Sequence, residues 1–276
     1  MNSQHPATSA ANAAQDSRTF RVLARVGYVV LGILHLLIGG IAISIATGSG
    51  GENADQGGAM EQIQQSPAGV VLLWLIVLGL LALAVWQIAE AVIERDPDAK
   101  SKWAHRVKFL GTAAAYLAIG ATALVYALGG QSQSSESSQS SESSQSFSAT
   151  LLAAPAGVAL LVLVGLIVAA IGIAFIVRGI TRAFMKNLSA PGGAARSGIV
   201  AFGVAGYIAK GIAVGVAGAL FVIAALTHDP ETAGGLDSAL RALAGLPFGA
   251  VILWVVGAGL VLYGLFCFAR ARYARM

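Results

Sequence analysis

Cysteine is nearly absent. Cys267 is the only one, so no internal disulfide can form and cysteine usage leaves the redox compartment open. Charged residues are scarce too, at 11% of 276, whereas a soluble globular domain carries about 25%. With 57% hydrophobic residues and a mean hydropathy of +0.76, the chain does not read as a water-soluble domain. Its four histidines, His5, His35, His105 and His228, lack the spacing of metal ligands. No Ser, His and acid set can be assembled on one face. The external carboxylates are dispersed instead of clustered, and no Gly-x-Gly-x-x-Gly follows a strand. The expectation is therefore no enzyme, no metal and no cofactor.

What the chain does hold is six apolar runs, near Val26–Ala46, Gly69–Ile93, Val107–Leu128, Leu151–Val177, Gly198–Leu226 and Phe248–Ala269. Each meets the roughly 20 residues that a hydrocarbon core demands. Residues 1–20, rich in Ala, Ser, Asn and Gln, read as a disordered cytoplasmic tail with no signal-peptide n-region. Charge placement then orients the spans, because cytoplasmic loops collect Lys and Arg. Fifteen of the 17 basic residues fall in one set of segments, around Arg18–Arg25, Arg95–Lys108, Arg178–Arg196 and Arg270–Arg275. The opposite loops carry Glu52, Asp55, Glu61, Glu136, Glu142, Asp229, Glu231 and Asp237 against Arg241. Both termini are accordingly expected in the cytoplasm. A pI of 9.4 reflects these dispersed juxtamembrane cations and contact with anionic lipids, not nucleic acid, since no aromatic residues interleave them.

The runs repeat. Arg25, Gly27, Tyr28, Gly32, His35 and Gly39 align with Arg106, Lys108, Phe109, Ala113, Tyr116 and Gly120 at a shift of 81, and with Arg196, Gly198, Ile199, Gly203, Gly206 and Lys210 at a shift of 171. Independently, Pro67-Ala68-Gly69, Pro155-Ala156-Gly157 and Pro247-Phe248-Gly249 open the even runs. Three tandem units follow: 21–98, 99–190 and 191–276. Ala59-Met60 with Ile63, and Ala239-Leu240 with Leu243, predict short amphipathic helices ahead of the prolines. In the second unit only Phe147 and Leu151 offer a ragged counterpart. A channel-like pore helix fits these short segments badly, because Glu61, Gln62, Gln64 and Gln65 suit an interface and no carbonyl filter follows. Residues 131–146, almost all Ser and Gln, are expected to form a disordered loop.

Lys210 is the one ionisable residue near the middle of a span, so it should face the protein interior. Tyr207, His35 and Tyr116 occupy neighbouring positions of the aligned units and complete a candidate midplane cluster. The cluster could neutralise an anion or exchange protons, or it could simply lock the repeats together. Glu90, Arg178 and Arg270 share one repeat position near the basic ends of the even runs. They are candidates for an inter-repeat ion pair, or else charges that snorkel to water. The 34 glycines, including Gly211 and Gly215, read as packing surface.

Ala24-Arg25-Val26-Gly27-Tyr28 with Gly32 and His35, Gly206-Tyr207-Ile208-Ala209-Lys210-Gly211, and the stretch from Asp229-Pro230 to Ala271-Arg272-Tyr273 together resemble the membrane proteins of domain-of-unknown-function family 1206. That resemblance runs from about Arg21 to Arg275. It implies three tandem two-helix units in a bacterial inner (plasma) membrane and brings no activity with it. The expected fold is all-α integral membrane: six transmembrane helices around a pseudo-threefold axis, with short interfacial helices outside. The expected function is handling of a small solute or ion at Lys210. The alternative is a non-transporting scaffold or assembly protein of the cell envelope.

Overall fold

Hydrocarbon offers the backbone no hydrogen-bond partners, so apolar runs must satisfy their N–H and C=O groups within a helix. Six of the seven prolines fall outside the six runs, and Pro155 lies near the start of the fourth, leaving nothing to interrupt their interiors. A computed structural model describes residues 18–49, 54, 56–93, 99–129, 139–154, 156–189 and 192–274. Nine α-helices occur among these residues: α1 (Arg18–Ala46), α2 (Gln56–Gln64), α3 (Gly69–Ile93), α4 (Ala99–Ala127), α5 (Gln139–Leu152), α6 (Gly157–Ile180), α7 (Gly193–Thr227), α8 (Gly235–Ala244) and α9 (Gly249–Tyr273). Six of them, α1, α3, α4, α6, α7 and α9, are long and apolar enough to cross a membrane, as expected. Most of the expected N-terminal tail, residues 1–17, lies outside the described residues, while Arg18–Phe20 already belong to α1.

The long helices pack in one series: α4 on α3, α3 on α1, α1 on α9, α9 on α7, and α7 on α6. Glycine sets how closely they approach. On α9, Gly264 and Gly257 face Gly32 and Gly39 of α1, while on α6, Gly172 and Gly165 face Gly211 and Gly218 of α7. A Cβ on Gly172 would stand 2.7 Å from the Gly211 carbonyl oxygen and the Gly215 Cα, so no larger residue fits without moving a helix.

These pairs correct the register of the third unit. Gly264 and Gly172 are equivalents, being spaced like Leu253 and Leu161. Their partners Gly32 and Gly211 must then be equivalents too, which sets the third unit 179 positions after the first instead of 171. Gly39 and Gly218 repeat that offset. Gly27-Tyr28 therefore corresponds to Gly206-Tyr207, and Lys210 to Leu31 and Thr112, not to Gly39 and Gly120. Arg196, exposed, and Gly198, half-buried, which imitated Arg25 and Gly27, lie in a two-turn extension that makes α7 35 residues long.

Each even helix opens with one turn built three times over. Gly69, Gly157 and Gly249 donate their N–H to Ser66, Ala154 and Leu246 at 2.9, 2.9 and 2.7 Å. A Cβ on any of the three would collide with a carbonyl oxygen of the preceding short helix, at Ile63, Leu151 or Ala244. The short helices α2 and α8 form as expected, with Ala59, Met60 and Ile63, and Ala239, Leu240 and Leu243, buried against the bundle.

The second unit differs from expectation. Residues 139–146 belong to helix α5, not to a disordered loop; residues 131–138 lie outside the described residues. Ser148, fully buried, takes the place of Met60 and Leu240 and donates to the Ser144 carbonyl at 2.8 Å, while Phe147 is 49% exposed. α5 is held by docking that composition does not reveal. Gln145 Nε2 donates to the Glu231 carbonyl at 3.2 Å, and Gly235, lacking a side chain, admits Ser144.

Bonds at this acidic end join successive units in a cycle. Gln64 Nε2 of the first reaches the Tyr126 carbonyl of the second at 3.0 Å, and Gln145 of the second reaches Glu231 of the third. Asp237 of the third accepts from Ala54 N at 2.9 Å and from Arg241 Nε at 2.8 Å. At the basic end, the 3-10 turn Ala183–Asn187 inserts Phe184 beside Gly203. Ser189 N then bonds the Tyr273 carbonyl at 2.8 Å, tying the turn to the end of α9.

Candidate functional site

Lys210 sits at the midpoint of α7, where a lysine costs about 2.5 to 3.5 kcal/mol on insertion scales. Its side chain turns into the bundle. Nζ lies 3.2 Å from His35 Nε2 on α1, 4.5 Å over the Tyr263 ring of α9 and 5.3 Å over the Phe175 ring of α6. The His35 tautomer follows from its other nitrogen. Nδ1 is 2.7 Å from the Leu31 carbonyl oxygen, which can only accept, so Nδ1 carries the hydrogen and Nε2 presents a lone pair. Lys210 is therefore the donor of a bond that joins the first and third units. Both aromatic faces beneath it add cation–π attraction without introducing a negative charge.

Below this layer an aromatic column runs to the basic end. His35 and Tyr263 have ring centroids 4.7 Å apart, Tyr263 and Tyr207 meet edge to face at 5.2 Å, and Tyr207 stacks on Phe184 at 5.3 Å. Phe184 in turn meets Phe266 at 5.0 Å. Tyr207 thus belongs to the cluster through Tyr263 and lies one layer below the ammonium. Tyr116, on α4, packs against the same core but within electrostatic range of Arg270 and Tyr28 rather than beside Lys210.

The three repeat-related charges do different things. Arg270 lies 4.3 Å over the Tyr28 ring, and Arg178 lies 5.5 Å over the Tyr207 ring, with its buried Nε lacking a hydrogen-bond partner. In the corrected register these two pairs are equivalents, each an arginine of one unit over a tyrosine of the next. The third equivalent is Glu90 with Phe109, and both line a pocket that also holds Arg270. Glu90 and Arg270 thus line one pocket, whereas Arg178 belongs to the aromatic column.

Sequence reasoning missed Tyr263, Phe175 and Asp237. Tyr263 and Phe175 touch Lys210 from helices that offered no polar pattern, and the equivalents of Tyr263, Leu83 and Ile171, are aliphatic. Asp237 stood among acidic loop residues of equal appearance; its burial at 6% exposure is what separates it. Its position in the first turn of α8, before the apolar stripe, was the available signal.

Six membrane-length helices arranged as repeated pairs, with their polar groups gathered inside, define a polytopic membrane protein. The chain matches the family described as Domain of Unknown Function (DUF1206) three times, over residues 26–94, 107–182 and 205–274, and belongs to that family. The third match begins 179 positions after the first, which is the register of the glycine contacts. The chain is also similar to an uncharacterized Bacillus subtilis protein, YxxB, with 30% identity over 257 residues that cover 91% of this chain and 90% of that one. No solved structure matches it.

Proposed function

We propose that the protein handles a small solute or ion at the midplane cluster of Lys210 and His35, with Tyr263 and Phe175 against the ammonium and Tyr207 one layer below, and that an anion suits the cluster best. The observation that carries this reading is the Lys210–His35 bond at 3.2 Å. The ammonium's partners there are a neutral imidazole and two ring faces, so its charge stays uncompensated inside the bundle, where anion binding would offset it. Arg178 and Arg270 below it keep the column positive. The same reading gathers the three units about a pseudo-threefold axis along the membrane normal, supported by the repeated glycine seams and the cyclic bonds of the acidic end. α2, α5 and α8 then float at the outer interface, both termini are cytoplasmic, and the membrane is the bacterial plasma membrane, as the basic loops suggest. No enzymatic step, metal, cofactor or nucleic acid enters the proposal.

A second reading, a non-transporting envelope scaffold, draws on the same bond, because it ties the first unit to the third. Flux of chloride, phosphate and acetate across proteoliposomes separates the two. Handling predicts conductance or exchange of at least one anion, lost in Lys210→Met while the protein stays folded. Silence for every anion, together with an unchanged host phenotype in Lys210→Met, would leave the scaffold. Orientation has its own test: Ser146→Cys should react with an impermeant thiol reagent in intact cells, and absence of labelling would reverse it.

A further inference from the structure

The pocket at the basic end has a volume of about 240 Å³ and is lined by Tyr28, Trp86, Glu90, Phe109, Lys186 and Arg270, among others. It is smaller than the roughly 300–1,000 Å³ typical of drug-sized ligands, so it suits a small polar group. Its origin lies in the repeats. At two of three equivalent positions an arginine covers a tyrosine of the next unit, as Arg178 covers Tyr207 and Arg270 covers Tyr28. At the third position Glu90 and Phe109 replace that pair. A shorter side chain of opposite charge leaves space where the other positions are filled, and it adds a carboxylate to a lining that also holds Arg270.

The lining is therefore bipolar. Arg270, held against the Tyr28 ring, keeps N–H donors for an oxygen ligand, and Lys186 adds a second cation from the 3-10 turn. Arginine's planar fork matches phosphate oxygens. Glu90 with the rings of Trp86 and Phe109 offers what an ammonium needs, a carboxylate and aromatic faces. Depth narrows the choice further. Arg270 lies in the last turn of α9, Glu90 in the last turn of α3, and Lys186 beyond the end of α6, which is the level of lipid phosphates for spans of this length.

We infer that this pocket holds a phosphoethanolamine group, phosphate toward Arg270 and Lys186 and ammonium toward Glu90. The site is separate from the Lys210 cluster and does not depend on the protein moving any solute. Phosphatidylethanolamine of the facing leaflet and a water-soluble phosphoethanolamine share this chemistry.

Native mass spectrometry of the full-length protein, delipidated in detergent and titrated with phosphatidylethanolamine or phosphatidylglycerol of identical acyl chains, tests it. Wild type should retain the ethanolamine lipid about tenfold more strongly, the scale of one charge-assisted contact. Glu90→Gln should erase that preference, and Lys186→Gln, a change at an exposed turn, should weaken both lipids. Soluble phosphoethanolamine supplies the second arm. Competition by it at millimolar concentration assigns the site to a free solute, and failure to compete, with the lipid preference intact, assigns it to the lipid. Equal retention of the two lipids by wild type, or a preference untouched by Glu90→Gln in a protein that melts normally, overturns the inference. Anion flux is not read in this experiment, so its outcome stands apart from that of the midplane proposal.

Discussion

The first and third units close on themselves, whereas the second does not. Within the first, Gly27 of α1 meets Gly79 of α3, and within the third, Gly206 of α7 meets Tyr263 of α9 while Gly259 meets Ala209. α4 and α6, the two long helices of the second unit, form no comparable seam among the described residues. The equivalents of Gly27 and Gly79 there are Lys108 and Ile167, both exposed and both too large for backbones to approach. Their helices instead pack outward on the neighbouring units, α4 on α3 and α6 on α7, leaving Leu117, Leu163, Leu166 and Ile173 exposed. One architecture repeated three times thus yields a glycine-sealed half and an open flank, and the substitution of two glycines accounts for the difference.

Breaking a glycine seam between units should have the largest effect. Gly172→Ala forces α6 off the backbone of Gly215 and should cost about 1–3 kcal/mol as overpacking. Gly215→Ala, across the same seam, points into open space and should leave the melting temperature of the detergent-solubilised protein within error. Next comes the cyclic link at the acidic end. Asp237→Ala strands the buried Ala54 N–H and removes the carboxylate that Arg241 Nε bonds, and thermal melts should report a loss of about 1–3 kcal/mol.

The Lys210–His35 bond should be weaker than its position suggests. A double-mutant cycle with Lys210→Met and His35→Ala, read from melting or denaturant curves, should give a coupling near 0.6 kcal/mol and no more than about 1.7. His35→Ala alone should destabilise more than Lys210→Met, because it leaves the charge in place without its acceptor. The smallest effect belongs to the open flank. Ile173→Ala, on a side chain 61% exposed, should change stability by less than about 0.5 kcal/mol. A loss as large as that of Gly172→Ala would show that the flank is covered and would end the contrast between the units.

Much of this contrast could have been read from the chain, and one slip shows why not all of it was. The Gly27-Tyr28 and Gly206-Tyr207 pairs match by eye, yet Arg196 and Gly198 drew the alignment eight positions away. Two helical turns take about 7.2 residues, so a slip of that size preserves most of an apolar pattern. The facing glycines of another helix decide between the two registers, and the family match agrees with them. Tyr207 and His35 were found because α7 and α1 announce polar residues in an apolar run, whereas Tyr263 and Phe175 were hidden in helices with no such punctuation. Helix α5 was missed for the opposite reason: its own composition favours no structure, and the surface that orders it belongs to another unit.

By itself the sequence determined the number of spans, the three units, the proline-glycine turns and the inward side of Lys210. Each of these follows from one helix meeting water or hydrocarbon, a matter of local composition and length. The tertiary structure alone decided which glycines touch, which arginine covers which tyrosine, and that Glu90 shares a pocket with Arg270. Those outcomes depend on the approach of two backbones, and the distance between backbones is set by both partners of a pair at once.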